Sequence, residues 1–84
     1  MNKDEIFALI SNNAREIIPH LEEHVFQWSD SLRALGANSI DRSEIVMMTL
    51  EGLALEIPLA ETLRAENIGE LATFLYEKSI SMQA

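Results

Sequence analysis

An all-α fold is predicted for this 84-residue chain, a bundle of four helices in one domain spanning residues 1–84. Three observations carry that reading. Apolar residues recur at spacings of three and four along several stretches, as on one face of a helix. Capping residues open those stretches, and proline or glycine closes them. The length leaves room for one small core and no second domain. Three of the helices are longer, the third is short, and a long loop separates the first two.

The first helix opens at Asn2, with Glu5 three residues later at capping-box spacing. Ile6, Leu9, Ile10, Ala14, Ile17 and Ile18 form its inward stripe, and Pro19 ends or bends it. Residues His20 to Leu35 read as an ordered loop in which Val25, Phe26, Trp28, Leu32 and Leu35 dock on the core, with a short turn over Ser31 to Leu35. A loop of this length in a small domain signals function or an unrecognised element. Gly36 breaks the chain, and Asn38 caps a second helix with Asp41 three residues on. That helix runs from about Ser39 to Leu53, with Ile45, Val46, Thr49, Leu50 and Leu53 facing inward. Leu55-Glu56-Ile57-Pro58 leaves it extended, because a residue before proline avoids the helical region. A short third helix is predicted over Leu59 to Ala65. The fourth begins near Asn67 or Ile68 and turns Ile68, Leu71, Phe74, Leu75 and Ile80 inward.

Composition removes several functions. Fourteen acidic residues against six basic ones give a formal charge of −8, which disfavours nucleic acid and anionic membrane surfaces as partners. Basic protein surfaces suit it better. The absence of cysteine removes disulfides, thiolate nucleophiles and cysteine metal sites. Met1-Asn2-Lys3-Asp4-Glu5 lacks a signal-peptide pattern, and no apolar run approaches the roughly 18 residues of a membrane span. A cytoplasmic location is expected.

Catalytic and metal motifs are weak. His20-Leu21-Glu22-Glu23-His24 matches H-x-x-E-H, in which two histidines four apart on a helix share a zinc ion. It follows Pro19 at a helix end, and matches this loose arise by chance. A solvated loop with two ordinary histidines is the better reading, and no metal is expected. Ser39, His20 or His24, and Asp41 could be named as a triad, but there is neither a G-x-S-x-G elbow nor a glycine-rich segment for an oxyanion hole. Calcium-loop and phosphate-loop patterns are absent, the three glycines being isolated. Met47 and Met48 lie beside the inward stripe, and one must turn outward or sideways, since adjacent helical positions differ by about 100°. Trp28 reads as a core plug rather than a ligand platform.

Ser39 is the candidate for chemistry. A serine at a helix start is usually only a cap. Here Asn38 already caps, leaving Ser39 at the first helical position with its hydroxyl free near the positive end of the helix dipole. Ile40 beside it is a large apolar residue where exposure is expected, which suits recognition. No neighbour could activate the hydroxyl, so it reads as a point of attachment.

Gly36-Ala37-Asn38-Ser39-Ile40, preceded by Asp30-Ser31-Leu32-Arg33-Ala34-Leu35 and followed by Glu44-Ile45-Val46 and Glu56-Ile57-Pro58, resembles the landmarks of the acyl carrier proteins over nearly the whole chain. The resemblance implies a four-helix acyl-carrier bundle that catalyses nothing itself. It implies that a phosphopantetheinyl transferase attaches 4′-phosphopantetheine to Ser39, so that the arm's thiol carries an acyl group as a thioester. Partner enzymes would dock on the outward face of the second helix, at Asn38, Ile40, Asp41, Arg42, Glu44, Met47, Met48 and Glu51.

The departures from the family pattern narrow the expectation. Asn38 replaces the usual aspartate, Arg42 puts a positive charge on an ordinarily acidic face, and Leu50 and Gly52 stand where housekeeping carriers hold glutamates. The run Ala37 to Met48, with Ile57-Pro58-Leu59 and Asn67-Ile68-Gly69-Glu70-Leu71-Ala72, is similar to the discrete donor carriers of polyketide β-branching cassettes. That resemblance implies an acetyl cargo delivered to an HMG-synthase-like enzyme. It further implies an acetyl- or malonyl-loading acyltransferase and a decarboxylating ketosynthase as partners, with the carrier monomeric. The rival readings are a carrier for fatty-acid or aminoacyl transfer, a non-enzymatic helical adaptor, and a metal-dependent hydrolase.

Overall fold

Asn2 and Glu5 close the start of the first helix reciprocally. The Glu5 backbone N–H donates to Asn2 Oδ1 at 2.8 Å, and the Asn2 N–H donates to Glu5 Oε1 at 2.9 Å. In the computed structural model, which describes residues 1–83, this box opens α1, Lys3–Ile17. Ile18 then turns extended ahead of Pro19, and a 3₁₀ turn over Pro19–Leu21 follows, an element the sequence reading absorbed into the loop. The remaining helices are α2, Ser39–Leu53, α3, Leu59–Thr62, and α4, Ile68–Gln83. No helix among the described residues is long and apolar enough to cross a membrane.

α1 packs against both α2 and α4, and α3 leans on α2. One apolar cluster fills the centre, built from Ile6, Ile10 and Ala14 of α1, Ile45, Val46 and Leu50 of α2, and Ile68, Leu71 and Leu75 of α4. Burying each of the large side chains contributes about 1.5–3 kcal/mol. A buried polar pair fixes how α1 lies on α2: Asn13 Nδ2 donates to Thr49 Oγ1 at 3.0 Å, and that hydroxyl donates to the Ile45 carbonyl at 2.8 Å.

Four expectations need correction. Helix α3 is a single turn, Leu59–Thr62, rather than a helix reaching Ala65. The Leu63 and Ala65 N–H groups bond three residues back, to Ala60 and Thr62, which tightens the end, and Leu63 is left 68% exposed. Ile80 is 49% exposed, because the last turns of α4 extend past the core. Val25 points into solvent, while Phe26 next to it is buried. Trp28 is no core plug: it is 43% exposed and stacks on the Phe7 ring, with centroids 4.6 Å apart.

The long loop is tied down at several points. Arg15 donates through Nε and Nη2 to the His24 carbonyl at 3.3 and 3.0 Å, and its guanidinium lies over Phe26. His24 Nε2 lies 2.9 Å from Asp30 Oδ2, which also accepts the Gln27 N–H at 2.8 Å. The loop then caps the last helix: the carbonyls of Asp30 and Trp28 accept the N–H groups of Ile68 and Gly69, each at 2.8 Å.

Candidate functional site

The approach to α2 is a helical turn stopped by a glycine. Leu35 and Ala37 donate back to the carbonyls of Ser31 and Leu32, and Gly36 donates to Arg33 at 3.1 Å. Gly36 has φ +101°, a conformation that L side chains rarely adopt, and it throws the chain outward. His20 holds the outer side of this turn, its Nε2 3.0 Å from the Leu35 carbonyl oxygen. A Cβ at Gly36 would lie 3.3 Å from the same nitrogen. The sequence reading missed this role for His20, because the partner is a backbone carbonyl fifteen residues away.

Ala37 is buried and anchors the next step, and Asn38 adopts the extended backbone of a cap. Its Oδ1 accepts the Asp41 N–H at 2.8 Å. Ser39 therefore stands at the first helical position, exposed, and its hydroxyl takes no hydrogen bond among the described residues. The N–H groups of Ser39 and Ile40 also lack acceptors among the described residues, so the site offers free donors at the positive end of the helix dipole. A phosphate ester on that hydroxyl would meet favourable partial charge, and the arrangement fits such a group.

No neighbour activates Ser39 as a nucleophile. His24 is engaged by Asp30, His20 by Leu35, and the two rings hold separate partners rather than one ion. Among the described residues no group of three or more His, Asp or Glu side chains is placed to hold a metal. The Asp30 carboxyl is held below the usual aspartate value, first by the Gln27 N–H and then by its hydrogen bond to His24. It lies in the loop and serves that loop.

Of the residues expected on the docking face, Ile40, Glu44, Met47 and Glu51 are exposed and recur at helical spacing along α2 below Ser39. Ile40 is 69% and Met47 55% exposed, so apolar and acidic side chains alternate down this ridge as Ile40, Glu44, Met47 and Glu51. Asn38 is exposed at its top, while Asp41, Arg42 and Met48 flank it half-buried. Arg42 bends back, its Nη1 donating to the Ala37 carbonyl at 3.4 Å. Leu50 belongs to the core, as its place in the inward stripe predicts, and contributes no side chain to the outer face. Gly52 is exposed, and a Cβ on it would come 3.1 Å from Leu9 Cδ2 on α1.

The family described as "Phosphopantetheine attachment site" matches residues 10–75. The polyketide biosynthesis acyl-carrier-protein AcpK of Bacillus subtilis (strain 168) is 47% identical over 78 residues, which is 93% of this chain and 95% of that protein. Among solved structures, a chain of the crystal structure of the curacin biosynthetic pathway HMG synthase in complex with acetyl donor-ACP superposes with a TM-score of 0.89. It is 44% identical, and the match covers 93% of this chain and 100% of that one. With its exposed, uncommitted serine at a helix start, the chain belongs to the acyl carrier proteins, carriers rather than catalysts that bear covalently attached 4′-phosphopantetheine.

Proposed function

We propose that this chain is a single-domain donor carrier for polyketide β-branching, with Ser39 as its attachment site and an HMG-synthase-like enzyme as its acceptor. Bound there, the prosthetic group supplies a terminal thiol that carries an acyl group, here acetyl, as a thioester. The observation that carries the reading is the Ser39 hydroxyl, exposed and without a hydrogen-bond partner among the described residues beside two unused N–H groups, on a helix start where the cap residue Asn38 leaves the serine free. The likeness to a carrier described as an acetyl donor in complex with an HMG synthase supports the choice of partner.

In this reading Asn38 and Gly36 present Ser39, Ile40 and Met47 give the partner an apolar ridge, and Glu44 and Glu51 set its register by charge. Arg42 distinguishes this face from an all-acidic one. A phosphopantetheinyl transferase, a loading acyltransferase and a decarboxylating ketosynthase complete the set of partners, in the cytoplasm.

Intact mass after incubation with coenzyme A and a broad-specificity transferase tests the reading. One phosphopantetheine addition on the wild type and none on Ser39→Ala is the expected result. An addition that persists on Ser39→Ala moves the site elsewhere. Acetyl transfer from the loaded carrier to an HMG synthase of the β-branching type then tests the donor role, and its failure alongside normal loading would leave a carrier of another pathway.

A further inference from the structure

We propose that the cavity between α2, α3, the start of α4 and the turn before α2 is an anion site, in which Arg33 and Arg42 hold a negatively charged group borne on the prosthetic arm. The inference rests on the carrier function proposed above and adds the chemistry of what the cavity selects. The cavity measures about 560 Å³. Its apolar walls include Leu32, Val46 and Leu71, and its charged lining is Arg33, Arg42 and Glu66. Two positive charges against one negative leave the lining at +1, in a chain whose formal charge is −8.

Neither arginine has a carboxylate partner among the described residues, where the ion pairs are His24–Asp30 and Lys78–Glu61. Arg42 spends one N–H on the Ala37 carbonyl, at the long limit of 3.4 Å, leaving the rest of its donor fork unused. A neutral aliphatic chain would leave the donors of both guanidinium groups unused. Planar guanidinium groups suit the paired oxygens of a carboxylate or phosphate, and here Arg33 stands at the exposed rim and Arg42 half-buried. Two sources of that oxyanion are open to the arm: the phosphodiester on Ser39, one helical turn from Arg42, or the free acid end of a short dicarboxylic acyl group.

The Nε–Hε resonances of Arg33 and Arg42 distinguish the sources. They are followed in the unmodified carrier, in the phosphopantetheine form, and in forms carrying amide-linked acetyl or malonyl, each verified by intact mass. Arg64, exposed and outside the cavity, is the reference. Movement on attachment of the arm supports the site and assigns it to the phosphodiester. Movement only between acetyl and malonyl supports it and assigns it to the acyl carboxylate. Arg33 and Arg42 moving no more than Arg64 in every form overturns it, the two side chains then merely covering apolar surface. A chain that takes no phosphopantetheine refutes the carrier reading separately. Sodium malonate and inorganic phosphate added to the unmodified protein then test the cavity, and unmoved resonances overturn the site.

Discussion

Asn38 Oδ1 accepts the Asp41 backbone N–H at 2.8 Å, and that bond is what leaves Ser39 with nothing to cap. Removing it separates stability from chemistry. Asn38→Ala should cost about 1 kcal/mol. For a domain of this size that corresponds to a fall of about 4–8 °C in thermal midpoint. Asn38→Asp keeps an acceptor and adds a charge that suits a helix N-terminus, so its midpoint should stay at or above the wild-type value. Circular dichroism melts of the three proteins check both. An alanine variant as stable as the wild type would remove the cap from the account of α2.

Acid should loosen the loop through Asp30. Its carboxyl is held below the ordinary value of 3.8, chiefly by the Gln27 N–H and then by His24. A depressed folded-state value means that the stability it contributes is complete above the unfolded value and is lost as pH falls through the folded one. The window is therefore below about pH 4. The Asp30 carbonyl also caps Ile68, so the start of α4 should lose protection in the same range. Asp30→Asn removes the titrating group, and its melting temperature relative to wild type should rise as pH is lowered through that window. Parallel curves for the two proteins would assign the acid sensitivity to other carboxylates.

The elements with local causes were legible in the sequence. Asn2 with Glu5, Asn38 with Asp41, and Gly36 are signals contained within a few residues, and they placed α1, α2 and the turn between them. The long loop was read less well because its causes are distant. Phe26 is buried and Val25 exposed for reasons set by Arg15 on α1, and Trp28 turns outward because Phe7 offers it a stacking partner. Nothing near residue 28 in the sequence indicates either contact. Leu63 was placed inside a third helix over Leu59 to Ala65, but bonding three residues back at Leu63 and Ala65 ends that helix early. Ser39 was singled out as the candidate from its position relative to Asn38, whereas the contact of His20 with Leu35 and the shared cavity of Arg33 and Arg42 needed the fold.

Gly69 should tolerate no side chain. A Cβ there would lie 2.7 Å from the Trp28 carbonyl oxygen and 2.9 Å from its ring, and the Gly69 N–H already bonds that carbonyl at 2.8 Å. Gly69→Ala must therefore push residue 28 away, at a cost of about 1–3 kcal/mol. Trp28 is the only tryptophan, so its fluorescence reads the displacement directly. The variant should show a shifted emission together with a lower midpoint. A normal spectrum in a destabilised variant would mean that the strain is relieved in α4 and not at the Trp28–Phe7 stack.

In the proposed docking, the choice of partner turns on Arg42, because Leu50 lies in the core and presents nothing to a partner. It flanks a ridge that carries Glu44 and Glu51, so a matching enzyme surface needs an acid opposite Arg42 and bases opposite the glutamates. Arg42→Glu should leave the fold within about 0.5 kcal/mol of wild type. Its dissociation constant for a β-branching HMG synthase should rise by about tenfold or more, a loss of about 1.4 kcal/mol. Binding curves at several salt concentrations check this, since the wild-type advantage should shrink as salt rises. Arg33→Gln separates docking from the cavity, because Arg33 lies off the α2 face but lines the same cavity as Arg42. If Arg42→Glu weakens synthase binding by the unmodified carrier while Arg33→Gln does not, Arg42 acts at the docking surface. Unchanged binding by Arg42→Glu would remove the charge argument that sets this carrier apart from the fatty-acid type.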